Sequence, residues 1–137
     1  MLESTDWYRI NSMSEPTRTV LIVDDDPQIL RLVRAMLGPH NVKVLSAPRP
    51  SDALRICGEE TVDVLISDVS MPEMDGNKLA ERVLKLHPRV SVLLISGDVN
   101  EAPAVRGGRV RFLKKPFFPA ELIRLLRAML ADKAEWA

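Results

Sequence analysis

The chain has 137 residues, of which 46% are hydrophobic and 28% charged, and its nineteen basic residues balance nineteen acidic ones. That length suits one domain with a proper core, and the zero net charge argues against a chain built to coat nucleic acid, which needs a basic surplus. The single cysteine, Cys57, allows no internal disulfide and no Cys/His spacing suggests zinc, so a reducing, cytoplasmic setting is expected. Every apolar run breaks well before about 18 residues, so no membrane span is expected. Glu3, Asp6 and Arg9 likewise interrupt any secretory core.

Residues 1–18 read as a disordered lead-in or vector-derived remnant outside the fold. The first apolar run, Val20–Val23, predicts a strand, and Ile29, Leu32, Val33, Met36 and Leu37 then form a helical stripe that Gly38-Pro39 stops. Val42–Leu45 predicts the second strand. Ala53, Leu54 and Cys57 suggest a shorter helix entered through Ser51 and closed near Gly58. Val62–Ile66 predicts the third strand, followed by a helix on Leu79, Val83 and Leu86 that His87-Pro88 ends. The fourth strand is Val90–Ile95. Between Asp98 and Gly108, Pro103 and the Gly107-Gly108 pair leave room for a helix of only about two turns. Val110–Leu113 predicts the fifth strand, and Leu122, Leu125, Leu126 and Met129 mark a last helix after Pro119. The expected domain spans 19–131, with 132–137 as a tail. Short, nearly continuous apolar strands alternating with helices predict an α/β fold with a parallel sheet covered on both faces.

Ligands bind such a sheet beyond the carboxyl ends of its strands, where strand order reverses. Asp24, Asp25 and Asp26 follow the first run, Asp68 the third, Ser96 the fourth and Lys115 the fifth. Two carboxylates about 4 Å apart repel by roughly 4 kcal/mol at an effective dielectric near 20, so converging Asp24, Asp25 and Asp68 calls for a cation. Oxygen donors without His or Cys select Mg²⁺, which takes few protein ligands and leaves room for a phosphoryl oxygen. Lys115 would then face a phosphate as a point charge, with the Ser96 hydroxyl donating to it. Each feature alone has a plain reading: the acidic run also suits a helix start, with Asp26 as the cap, and a lysine beside a proline is usually solvated. Together they suit phosphoryl transfer to an aspartate.

Val20-Leu21-Ile22-Val23-Asp24-Asp25-Asp26, Ile66-Ser67-Asp68-Val69-Ser70-Met71-Pro72-Glu73-Met74-Asp75-Gly76, Leu94-Ile95-Ser96-Gly97 and Phe112-Leu113-Lys114-Lys115-Pro116-Phe117 resemble the receiver domain of bacterial response regulators. The resemblance implies a doubly wound, flavodoxin-like five-stranded sheet of order 2-1-3-4-5, an order that the residues alone leave open. It implies Asp68 as phosphoacceptor and Mg²⁺ held by Asp25 directly, Asp24 partly through water, Asp68 and the Ser70 backbone carbonyl. Ser96 and Phe112 would form the switch pair, and Lys115 would pair with a phosphoryl oxygen while Lys114 points away. Phe112 stands where a tyrosine is frequent, so no hydroxyl is available there. The shortened fourth helix would alter the face that usually contacts partners.

The implied donor is a histidine kinase or phosphotransfer domain, within two-component signalling. A homodimer is open, and neither direct nucleic-acid binding nor membrane contact is expected. Ser-Gly-Asp and Lys-Lys-Pro-Phe with a short fourth helix also resemble receivers attached to hybrid histidine kinases. The chain is expected to assist its own phosphorylation and dephosphorylation rather than to act as an enzyme on other molecules. Two alternatives stay open: an interaction module with this fold that ignores phosphate, and a haloacid-dehalogenase-type phosphatase using Asp24 and Asp26. Against the second, Pro27 follows directly and no cap domain is evident.

Overall fold

A computed structural model describes residues 18–24, 26–37, 42–97 and 109–134, with side chains through residue 131. Five strands, β1 (Arg18–Val23), β2 (Val42–Ala47), β3 (Val64–Asp68), β4 (Ser91–Ser96) and β5 (Val110–Lys114), form one sheet in the order β2-β1-β3-β4-β5. All neighbours pair in parallel. Four described helices connect or follow them: α1 (Pro27–Leu37), α2 (Pro50–Glu59), α3 (Gly76–Leu86) and α4 (Pro119–Ala134). The expected strand order is therefore found. Its reversal falls between β1 and β3, and that switch point decides where the site lies.

Alternate strand residues feed two separate cores. Val20, Ile22, Val64, Ile66, Leu93 and Ile95 pack beneath α1 and α4, against Val33, Leu37, Leu122, Leu126 and Met129. Leu21, Val23, Leu65, Val92 and Leu94 turn the other way, against Ala53, Cys57, Leu79, Ala80 and Val83 of α2 and α3. Both faces are apolar because both are covered, which is why the strands read as continuous apolar runs rather than as alternation. Burial pushes the Cys57 thiol up to about 11, so at neutral pH it is an inert part of this core.

Several boundaries differ from the sequence-based expectation, each for a local reason. β3 begins at Val64 rather than Val62, because Asp63 has another task. Its carboxylate accepts the Thr19 amide at 2.8 Å, its own amide donates to the Thr19 carbonyl at 2.9 Å, and its carbonyl accepts the Ser91 amide at 3.0 Å. One residue thus ties the starts of β1, β3 and β4. Asp63→Ala would leave the buried Thr19 amide without its acceptor, and a loss of about 1–3 kcal/mol is expected in urea denaturation.

β4 begins at Ser91 rather than Val90, whose amide closes a turn onto the His87 carbonyl at 3.1 Å. Helix α2 starts at Pro50, with Arg49 rather than Ser51 at its N-cap position. Proline fits there because its missing N–H would be unpaired in any first turn. Leu86, expected on the buried stripe of α3, is 68% exposed and lines an open pocket with the 57–62 segment and the residues that follow it. β1 opens at Arg18 and α4 continues past Ala131 to Ala134. The short fourth helix expected between Asp98 and Gly108 lies outside the described residues, as does the N-terminal lead-in. Among the described residues no helix is long and apolar enough to cross a membrane.

Candidate functional site

Asp24 and Asp68 come together because β1 and β3 are neighbours in register. Val23 pairs with Ser67, so the next residue on each strand, Asp24 and Asp68, stands level at the switch point. Asp24 is half-buried, and its Oδ1 accepts the Asp26 amide at 2.8 Å in a tight turn. Asp26 in turn caps α1, its Oδ1 accepting the Gln28 amide at 2.9 Å, as the sequence suggests. Asp25 lies outside the described residues.

Lys115 reaches Asp68 across β4. Its Nζ donates to Asp68 Oδ2 at 2.8 Å, while Asp68 Oδ1 accepts the Ser70 amide at 3.0 Å. The carboxylate is therefore held from both sides. Lys115 is placed by the backbone: its amide donates to the Ser96 carbonyl at 2.8 Å, next to the Ser96–Lys114 pairing, and its bond to Pro116 is cis. Burial alone would lower the Lys115 ammonium. The Asp68 hydrogen bond and the charges of Asp68, Asp24 and Asp26 outweigh that and hold it above its ordinary 10.5. Acids that follow β1 and β3 thus act on a lysine that follows β5.

Ser96 ends β4 fully buried, one strand from Asp68, whose register partner is Ile95. Phe112 lies deeper on β5, opposite Leu94, half-buried against the α2/α3 core. Lys114 is exposed. The structure thus joins Asp68 and Lys115 directly, sets Asp24 level with Asp68, and ties Ser96 to Lys115 through the backbone. Phe112 sits one layer below, in the packing rather than at the strand ends. Among the described residues no group of three or more His, Cys, Asp or Glu converges as a ready metal cage, Asp25 being outside that set.

The β3–α3 loop contains features that residue types alone did not reveal. A Cβ on Gly76 would lie 3.0 Å from both the Asp68 carbonyl carbon and the Val69 Cα, and closer still to the Asp68 oxygen. Its amide donates to the Val69 carbonyl at 2.8 Å, so the loop closes on itself at the phosphoacceptor candidate. Asp75 caps α3, its Oδ1 accepting the Lys78 amide at 2.9 Å. Glu73 has a positive φ of 25°, and its Oε1 accepts the Ser51 amide of α2 at 3.0 Å. For a residue with a Cβ such backbone costs on the order of 1 kcal/mol, which the surrounding contacts must offset. The Asp75-Gly76 pair was a visible signal of a helix start; nothing in the sequence pointed from Glu73 to Ser51.

Comparison with known proteins agrees with this geometry. The profile of the family described as the response regulator receiver domain matches residues 20–127. A 14.6 kDa protein encoded in the sodA1 3′ region of Leptolyngbya boryana is 38% identical over 79% of this chain and 86% of its own. The transcriptional regulatory protein GlrR of Escherichia coli is 36% identical over 76% of this chain and 24% of its own length. The signal receiver domain of an HD domain-containing protein from Pseudomonas fluorescens superposes with a TM-score of 0.80 at 29% identity, covering 88% of this chain and 92% of that one. The chain spans most of the first relative but only a quarter of the second. With the carboxylates of two central strands facing a lysine from the fifth, and a family match over nearly the whole sheet and its helices, this chain belongs to the response regulator receiver domains, whose general role is to accept a phosphoryl group in two-component signalling.

Proposed function

We propose that Asp68 is the phosphoacceptor of this receiver, taking its phosphoryl group from the phosphohistidine of a histidine kinase or phosphotransfer domain. The observation that carries this is the Asp68–Lys115 contact at the switch point, level with Asp24. A carboxylate oxygen of Asp68 forms the new P–O bond as the P–N bond to the donor histidine breaks, and the imidazole leaves to be reprotonated by solvent. Lys115 then has a phosphoryl oxygen to pair with in place of the bare carboxylate.

Receiver domains generally bind Mg²⁺ for phosphorylation. The donors here fit that ion: Asp24 and Asp68 present carboxylate oxygens, among the described residues Cys57 and His87 lie elsewhere, along the 57–62 and 86–90 segments, and Mg²⁺ needs few protein ligands. Asp24, Asp25, Asp68 and the Ser70 carbonyl would hold it, and when bound it offsets the charge gathered on the transferring group. Ser96 would donate to the phosphoryl group, and its movement would repack Phe112 in the α2/α3 core, biasing a two-state surface toward a partner. In this reading the chain is a cytoplasmic signalling domain rather than an enzyme acting on other molecules. It makes no direct nucleic-acid contact, and homodimerisation is one route for output. With acetyl phosphate and Mg²⁺, a phosphate-affinity gel should show a shifted band that Asp68→Asn removes. A full shift in Asp68→Asn would sink the assignment.

A further inference from the structure

We infer that Glu73 is a positioning residue that latches the phosphoacceptor loop onto the first turn of α2. Helix α2 lacks a side-chain cap of its own: Arg49 occupies the N-cap position, its guanidinium donating to Asp52 Oδ2 at 3.1 Å rather than capping the helix, and Pro50 follows. The amide of Ser51 is therefore an orphan donor, and the carboxylate that accepts it, at 3.0 Å, comes from Glu73 on a different loop. A carboxylate at a helix N-terminus is favoured by the dipole as well as by the hydrogen bond. Glu73 adopts its φ of 25° between Met71 and Met74, both of which pack inward on the α2/α3 core.

The loop is thereby held at separate points. Gly76 closes its base on Val69, the Ser67 hydroxyl has the Asp68 carbonyl at 2.9 Å and Met71 Sδ at 3.7 Å as alternative acceptors for its one proton, and Glu73 fixes its tip to α2. At the other end of this short segment the Ser70 amide donates to Asp68 Oδ1. Releasing the tip frees the residues between Met71 and Asp75 and, through them, loosens the Ser70 contact that orients the Asp68 carboxylate. The β2–α2 corner is in this way mechanically joined to Asp68. A partner that grips the first turn of α2 would be felt at the phosphoacceptor.

The consequence for phosphate acceptance rests on the function proposed above, so the test separates the two. Amide hydrogen exchange is measured on the full chain without metal, for the wild type, Glu73→Ala, Glu73→Gly and Glu73→Gln. Glycine removes the acceptor while accepting the positive φ, so it stays folded if alanine does not; glutamine keeps an acceptor oxygen. In the alanine and glycine variants Ser51 and Ser70 should both exchange about fivefold faster, the equivalent of one lost hydrogen bond, and glutamine should restore both. Acceleration of Ser51 alone would make Glu73 merely a cap for α2 and overturn the inference, as would no change at either amide. Acetyl phosphate labelling at limiting Mg²⁺ should follow the Ser70 exchange order across the four proteins. If both amides respond and the wild type takes no label, the latch stands and the proposed function falls.

Discussion

Gly76→Val should destabilise the domain by about 2–4 kcal/mol and abolish Mg²⁺-dependent labelling of Asp68 even under conditions where the protein stays folded. The first effect follows from the neighbours of the added side chain. A Cβ at this position meets the Asp68 carbonyl group and the Val69 Cα, all backbone atoms, and no rotamer change can move them aside. The second follows from which backbone it is. Relief of the clash requires the β3 end or the start of α3 to shift, and Asp68 moves with the former. A displacement of about 1 Å at a reacting group is enough to cost on the order of a hundredfold in rate. Urea unfolding and acetyl phosphate labelling of the same sample would check both. A variant with wild-type midpoint and wild-type labelling would contradict the close approach.

Lys115→Met has the second large effect, and here stability and chemistry part company. The Asp68–Lys115 pair is 2.8 Å long, but the lysine side chain is 36% exposed, so solvent screening limits its worth to folding to at most about 1 kcal/mol. The ammonium stands above its ordinary 10.5 in the folded chain. Its stabilising contribution is therefore fully present below 10.5 and fades as pH rises through the higher folded value. The stability gap between wild type and Lys115→Met should be flat through neutral and mildly alkaline pH and close only in that strongly alkaline range. Phosphoryl transfer should suffer far more, by at least about tenfold in labelling rate or about 1.4 kcal/mol, because a charge-assisted contact to the phosphoryl oxygen is lost. Stopped-flow labelling against acetyl phosphate, beside pH-dependent denaturation, measures the two effects separately.

Much of this was legible in the residues because the fold imposes a simple rule on them. A strand covered on both faces must be apolar throughout, so Val20–Val23 and Val92–Ile95 stand out, and the charged or polar residue that breaks each run, Asp24 and Ser96, marks the same end of the sheet. Asp24, Asp68 and Lys115 were readable for that reason. Features that depend on side chains reaching across elements were not. Asp63 looks like a polar residue inside a strand and in fact stitches three strand starts together. Ser51 looks like a helix cap and instead has its amide capped by Glu73, twenty-two positions away. Leu86 keeps the helical period of Leu79 and Val83 yet emerges into solvent, since periodicity reports a face of the helix and not where the sheet beneath it ends. Gly76 stands in the motif that follows Asp68, but its close approach to the Asp68 carbonyl could only come from the fold.

The most direct test of Asp68 as the phosphoacceptor is chemical. An aspartyl phosphate is a mixed anhydride that borohydride reduces to an alcohol, converting the phosphorylated aspartate to homoserine. The full chain, labelled with acetyl phosphate and Mg²⁺, reduced and mapped by peptide mass spectrometry, should carry homoserine at position 68, with none when Mg²⁺ is chelated. Homoserine at Asp24, Asp26 or Asp75 instead, or none anywhere despite a folded, Mg²⁺-supplied protein, would contradict the account.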